Sequence, residues 1–184
     1  MKRSVYYLFL MVPLMMLNQG CGDARNRRTE RKDLLSTSKS GRLFFKNVRE
    51  FYYDKSELPG NRHVTVYRMS RCQDDVEEAA YFNLTIADNY RDERAILLLE
   101  PNGVLSKMQL KKVVWNNDEQ ELAWPVDGPL ANYHFAASVD SLLKAGKRLF
   151  VRGKQDRKPL FQQDLDRECF QQQFHDYERL ISRK

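Results

Sequence analysis

Apolar and polar positions alternate along the middle of the chain and switch to helical spacing near its end. In His63 to Met69, Val64 and Val66 fall on one side and Thr65, Tyr67 and Met69 on the other, which predicts a strand. Tyr81 to Ala87 repeats the pattern, with Phe82, Leu84 and Ile86 opposite Tyr81, Asn83 and Thr85. Ala95 to Leu99 is a nearly continuous apolar run, and Pro101-Asn102-Gly103 after it predicts a hairpin back into Val104 to Leu110. Shorter strands are expected at Lys112 to Trp115, Glu121 to Val126 and Arg148 to Val151. Upstream, Leu43, Phe44, Phe45, Val48, Phe51, Tyr52 and Tyr53 are dense enough in aromatic rings to favour a strand, broken or bulged near Asn47. Phe44, Val48 and Phe51 also fit helical spacing. Leu58-Pro59-Gly60-Asn61 reads as a turn.

Asp127-Gly128-Pro129 closes the β-rich section. Beyond it, Phe135, Val139, Leu142 and Leu143 share one face of a short helix near 135–145 that Gly146 would stop. Leu165, Phe170, Phe174, Tyr177 and Ile181 mark a C-terminal amphipathic helix, with Asp164 or Asp166 as its cap. The expected fold class is α+β: a mainly antiparallel sheet or sandwich-like core with two helices packed on it.

The first residues follow a different logic. Basic Lys2 and Arg3 precede an apolar run from Val5 to Leu17, which gives way to small and polar residues ending at Gly20-Cys21. That order is a secretory signal, and Pro13 with the short apolar run argues against a permanent transmembrane helix. Gly20-Cys21 resembles the lipobox of bacterial lipoproteins, although Asn18 and Gln19 stand in its preceding positions and Leu17 is one place early. The resemblance covers only the leader. It implies a signal peptide over 1–20, a lipid such as palmitate on Cys21, and a protein held to a membrane of the cell envelope. Cleavage after Gly22 is the competing reading, since Gly20 and Gly22 also satisfy a small-x-small site, and it would release a soluble periplasmic or secreted protein. Residues 21–40, ending in Ser36-Thr37-Ser38-Lys39-Ser40, read as a flexible basic linker, and 41–184 as one domain.

Composition agrees with one globular domain. A chain of 184 residues with 42% hydrophobic and 11% aromatic content can bury a core without staples. Lys2 and Arg3 leave with the leader, so the formal charge of +6 falls to about +4. Much of the excess lies in Arg25, Arg27, Arg28, Arg31 and Lys32, opposed by Asp23, Glu30 and Asp33. Beside a lipid anchor such a stretch favours an anionic bilayer, at about 1 kcal/mol per nearby cation. No nucleic-acid recognition motif accompanies it, so nucleic acid is not an expected partner.

Candidate chemistry is sparse. His63, His134 and His175 show no HxH or HExxH spacing, there is no paired CxxC, no GxSxG elbow and no phosphate-cradling glycine loop. No catalytic, cofactor-binding or metal residue is assigned. Cys72 and Cys169 could form a disulfide in an oxidising compartment, but Cys169 reads better as a small buried hydrophobe on its helix. The carboxylates Asp74-Asp75, Glu77-Glu78, Asp88, Asp92-Glu93 and Asp118-Glu119 lack calcium-loop spacing, and Arg71, Arg91 and Arg94 suggest mutual compensation. Phe51-Tyr52-Tyr53, Trp115 and Trp124 would be core on an inner face and a docking surface on an outer one. The leading expectation is a noncatalytic tethered envelope domain that binds a protein or glycan or serves structurally. The alternative is a small envelope hydrolase whose acidic or histidine residues converge only in the fold.

Overall fold

The alternating segments pair into an antiparallel sheet of order β1-β2-β3-β4, formed by Tyr53–Leu58, Asn61–Met69, Ala80–Asn89 and Arg94–Gly103. The computed structural model describes residues 35–72, 79–108, 112–125, 128–153 and 156–181, which belong to one folded unit; the stretch expected as a signal peptide and the basic residues to 34 lie outside the described residues. Opposite residues of neighbouring strands share a face. The pairs Ile86↔Leu97, Leu84↔Leu99 and Tyr67↔Ile86 therefore set Tyr67, Leu84, Ile86 and Leu97 on one side. That side holds the main core. Val64, Val66 and Ala87 form a smaller buried group on the other side, with Ile96 and Leu98 against it.

A second antiparallel sheet has the order β6-β5-β7-β8, from Lys112–Trp115 (β5), Gln120–Ala123 (β6), Leu149–Arg152 (β7) and Arg157–Leu160 (β8). Val113, Leu149, Val151 and Leu160 point into the same core as the first sheet. The sheets meet where the Phe161 N–H donates to the Ala80 carbonyl at 3.0 Å. The helices are α1 (Lys39–Phe44), α2 (Val104–Lys107), α3 (Gly128–Lys144) and α4 (Asp164–Leu180). Sheets and helices together make an α+β domain. At its centre the Phe82 ring lies 5.0–5.7 Å from those of Trp124, Phe135, Phe161 and Phe170. Among the described residues no helix is long and apolar enough to cross a membrane.

Several elements differ from the sequence expectation. The segment expected as a strand from Leu43 is α1, followed by a π turn over Phe45–Arg49 and a 3-10 turn over Glu50–Tyr52; the strand starts only at Tyr53. Pro101-Asn102-Gly103 makes no hairpin and stays in β4, opposite Phe82, Tyr81 and Ala80, and α2 follows. Pro101 is tolerated because β4 is an edge strand and the alternating ladder turns the proline nitrogen away from β3. The helix expected near 135–145 begins at Gly128, since Pro129 falls in its first turn, where a missing N–H costs nothing. Gln163, not Asp164 or Asp166, occupies the α4 N-cap, and both aspartates lie in the first turn. The folded unit begins at Leu35, inside the stretch expected as linker: the Leu35 carbonyl accepts from Ala95 N–H and Thr37 N–H donates to the Glu93 carbonyl.

These contacts matter for the outer edge of β4. Its Ala95 carbonyl also accepts from the Tyr177 hydroxyl of α4 at 3.1 Å, and its Leu97 carbonyl from the Asn132 side chain of α3 at 2.9 Å. Backbone groups that would template a foreign strand are thus occupied.

Candidate functional site

The segment between residue 38 and Tyr53 is built to lie flat on the domain with one side turned out. Ser38 starts it: its backbone is extended, its hydroxyl accepts the Gly41 N–H at 2.9 Å, and its own N–H reaches the Leu180 carbonyl. Gly41 follows with no side chain because a Cβ there would sit 2.5 Å from the Arg179 carbonyl oxygen and 2.7 Å from that of Leu180. One turn on, Phe45 is buried, and its ring packs 5.4 Å from Tyr53 and 5.1 Å from Tyr67. Gly41, Phe45, Arg49 and Tyr53 therefore form the inward series.

Two ion pairs fix its rotation. Arg42 bonds Asp88 of β3 at 2.9 Å, with the carboxylate side chain only 6% exposed. Arg49 bonds Asp176 of α4 at 2.9 Å, and the same buried carboxylate accepts from the Tyr53 hydroxyl at 2.8 Å and the Gln172 amide at 3.0 Å. Burial, with Asp176 beside it, pushes the Tyr53 phenol far above its ordinary range, so it stays a neutral donor. Nearby, Gln173 is buried and its carbonyl oxygen accepts the Leu84 N–H at 2.9 Å, beyond the stretch over which β2 pairs with β3.

What remains outside is apolar. The π turn advances more slowly around the axis than an α turn, which carries the outward stripe from Leu43 to Val48 and on to Phe51 and Tyr52. These four side chains are 63%, 46%, 82% and 55% exposed. Cations border them. Lys39 and Lys46 are exposed, Arg179 lies over the Phe44 ring at 3.9 Å, and Arg49 lies over Tyr52 at 4.7 Å. Beside this ridge, a shallow depression of about 430 Å³ runs toward the β1–β2 hairpin, lined by Lys46, Glu50, Lys55 and Tyr67 among others. Burial, with Glu50 and Asp88 adding to it, raises Tyr67 to about 12, so it too is uncharged at neutral pH.

The other candidates fall elsewhere. Cys21 lies outside the described residues, as do Asp74-Asp75 and Glu77-Glu78. Cys72 and Cys169 are joined by a disulfide, with their Cα atoms 6.0 Å apart. A small depression of about 100 Å³ adjoins it, lined by Arg71, Asn83 and Asp166, whose carboxyl is pushed up by burial. His63 shares a hydrogen bond with the Tyr90 hydroxyl at 2.8 Å, and His134 is exposed on α3. His175 and Glu168 lie seven residues apart on α4 and line an open depression of about 460 Å³ with Arg71 and Lys144. Among the described residues no three metal-binding side chains converge.

Two of the candidate acidic residues are compensated, by different partners from those the sequence suggested. Asp88 is met by Arg42, and Asp118 by Arg157 and Arg152, whereas Arg71, Arg91 and Arg94 supply neither. Of the aromatic candidates, Tyr53 is core, Trp124 packs on Phe82 and Phe135, and Trp115 is partly buried against the core. Only Phe51 and Tyr52 face outward. Leu43 and Val48, which the sequence reading placed in a strand, join them; the available signal was that the segment holds more apolar residues than one strand face can bury. No family model matches the chain, and no curated protein or solved structure is similar enough to count as a match.

Proposed function

We propose that the protein is a noncatalytic domain of the bacterial cell envelope, tethered to a membrane by a lipid on Cys21, that works by contact with an envelope partner or as a structural element. The observation carrying this reading is the contrast between its charges and its apolar surface. The buried carboxylates Asp88 and Asp176 are held in ion pairs inside the fold, while Leu43, Val48, Phe51 and Tyr52 stand in solvent as one ridge. Exposed aromatic groups massed on one element suit recognition better than bond making. The leader residues Lys2 to Cys21 support the address.

Intact mass of the protein from membranes of a producing bacterium, compared with Cys21→Ser, tests the tether. A diacyl- or triacylglyceryl group on Cys21 that disappears in the variant is expected. An unmodified chain starting at Asp23 would overturn it.

One observation favours a second reading, a small hydrolase: His175 and Glu168 open onto the same depression. Were that reading correct, His175→Ala would abolish turnover of an ester or glycoside substrate by the wild type while leaving thermal stability unchanged.

A further inference from the structure

We infer that the α1 ridge docks on the anionic surface of the bilayer, so that the domain lies against the membrane instead of swinging free. This deepens the proposed function and rests on its placement of the protein in the envelope. Four observations converge. The ridge is a helical surface with apolar residues outward and its polar contacts turned inward, the arrangement by which a helix lies in the plane of an interface. Phe51 and Tyr52 are the most solvent-borne aromatic rings of the segment, at 82% and 55%, and aromatic rings settle at headgroup level.

Charge is complementary as well. Exposed Lys39, Lys46 and Arg179 border the ridge. The segment's carboxylates are engaged elsewhere, Glu50 with Lys55 at 2.5 Å and Asp54 with the Ser70 hydroxyl at 2.8 Å. Anionic headgroups would meet cations on each side of the apolar strip.

The chain outside the described residues supplies the last argument. Fourteen residues, Cys21 to Leu34, separate the anchor from the folded unit, and α1 begins at Lys39, so the ridge is the first element after the tether. Fourteen residues span at most about 50 Å. A surface carried that close to the headgroups meets them at an effective concentration on the order of millimolar, enough for a weak apolar contact to be occupied. The basic residues Arg25 to Lys32 of the same tether favour the same lipids.

The test uses the full chain purified from membranes, with a genetically encoded solvatochromic fluorophore replacing Phe51, or Glu119 in the exposed β5–β6 turn as control. Protein is reconstituted in POPE/POPG (3:1) vesicles and in pure POPC. Emission at position 51 is expected to rise at least twofold and shift blue in POPE/POPG, to fall in 1 M NaCl, and to fall with Val48→Ser, with position 119 unchanged. Intact mass of the same samples reads acylation separately. A response at 51 in unacylated protein keeps the docking face and removes the tether. Aqueous emission at 51 in acylated protein removes the docking face and keeps the tether. A response that needs added envelope protein, with vesicles alone silent, overturns the bilayer as occupant.

Discussion

Glu100 shows how a single carboxylate can make the fold sensitive to acid. Burial pulls its pKa up, but the hydrogen bonds and the positive charge of Arg68 outweigh that and hold it below the ordinary carboxylate value of 4.5. Arg68 grips it with both Nε and a terminal nitrogen, at 2.6–3.1 Å. A depressed pKa in the folded state means the native form binds fewer protons than the unfolded one. The pair's contribution is thus fully present above 4.5 and lost as pH falls through the lower folded value. Urea denaturation should accordingly place wild type above Glu100→Gln at pH 7, with the difference shrinking at pH 3; an equal gap at both would show that the carboxylate's charge is not what matters. The effect will be modest, because the Arg68 side chain is 41% exposed and water screens the pair.

At the scale of elements, the tightest constraint is the seat of α1 on the end of α4. Gly41 leaves no room for even a methyl group, and the obstructing atoms are backbone carbonyls that cannot swing away. Gly41→Ala should cost about 1–3 kcal/mol of unfolding free energy, and proteolysis should show the first cuts moving into residues 35–52. Stability unchanged by that substitution would mean α1 is not held there. The legible elements were those with one clear period. β2, β3 and the C-terminal helix carry apolar residues on an unbroken stripe, as in Phe82, Leu84 and Ile86, and their positions follow from the sequence. β1 was hidden because five of its six residues face solvent, and β8 because Arg157, Lys158 and Pro159 give it no alternation. The ridge escaped for another reason: a π turn breaks the 3.6-residue count in mid-segment, so inward Phe45 and outward Val48, three residues apart, would be read onto one helix face. Nor does sequence show that Asp176 lies at the centre of three donors, since those come from residues 49, 53 and 172.

For the whole molecule, the disulfide links the 3-10 turn Ser70–Cys72 after β2 to α4 across 97 residues. Closing a loop of that length restricts the unfolded chain, and its loss should cost about 2–5 kcal/mol. The Cys72→Ala, Cys169→Ala double variant is therefore expected to unfold at clearly lower urea with the same far-UV circular dichroism, because Phe82, Phe170 and Tyr177 still fill the core around it. An unchanged midpoint would show that the core alone holds α4 on the sheet. Removing the cross-link should leave the ridge in place, since Arg42, Arg49 and Gly41 seat α1 through contacts of their own.

The same bridge bears on how the protein matures. Were the chain exported as proposed, Cys72 would leave the translocation channel before Cys169, and with three thiols in all an oxidant acting during export could join the wrong two. Acylation of the Cys21 sulfur would remove the competitor. Two thiols would then be left with only each other as partners, and lipid attachment, beyond anchoring the protein, would act as a proofreading step for oxidative folding.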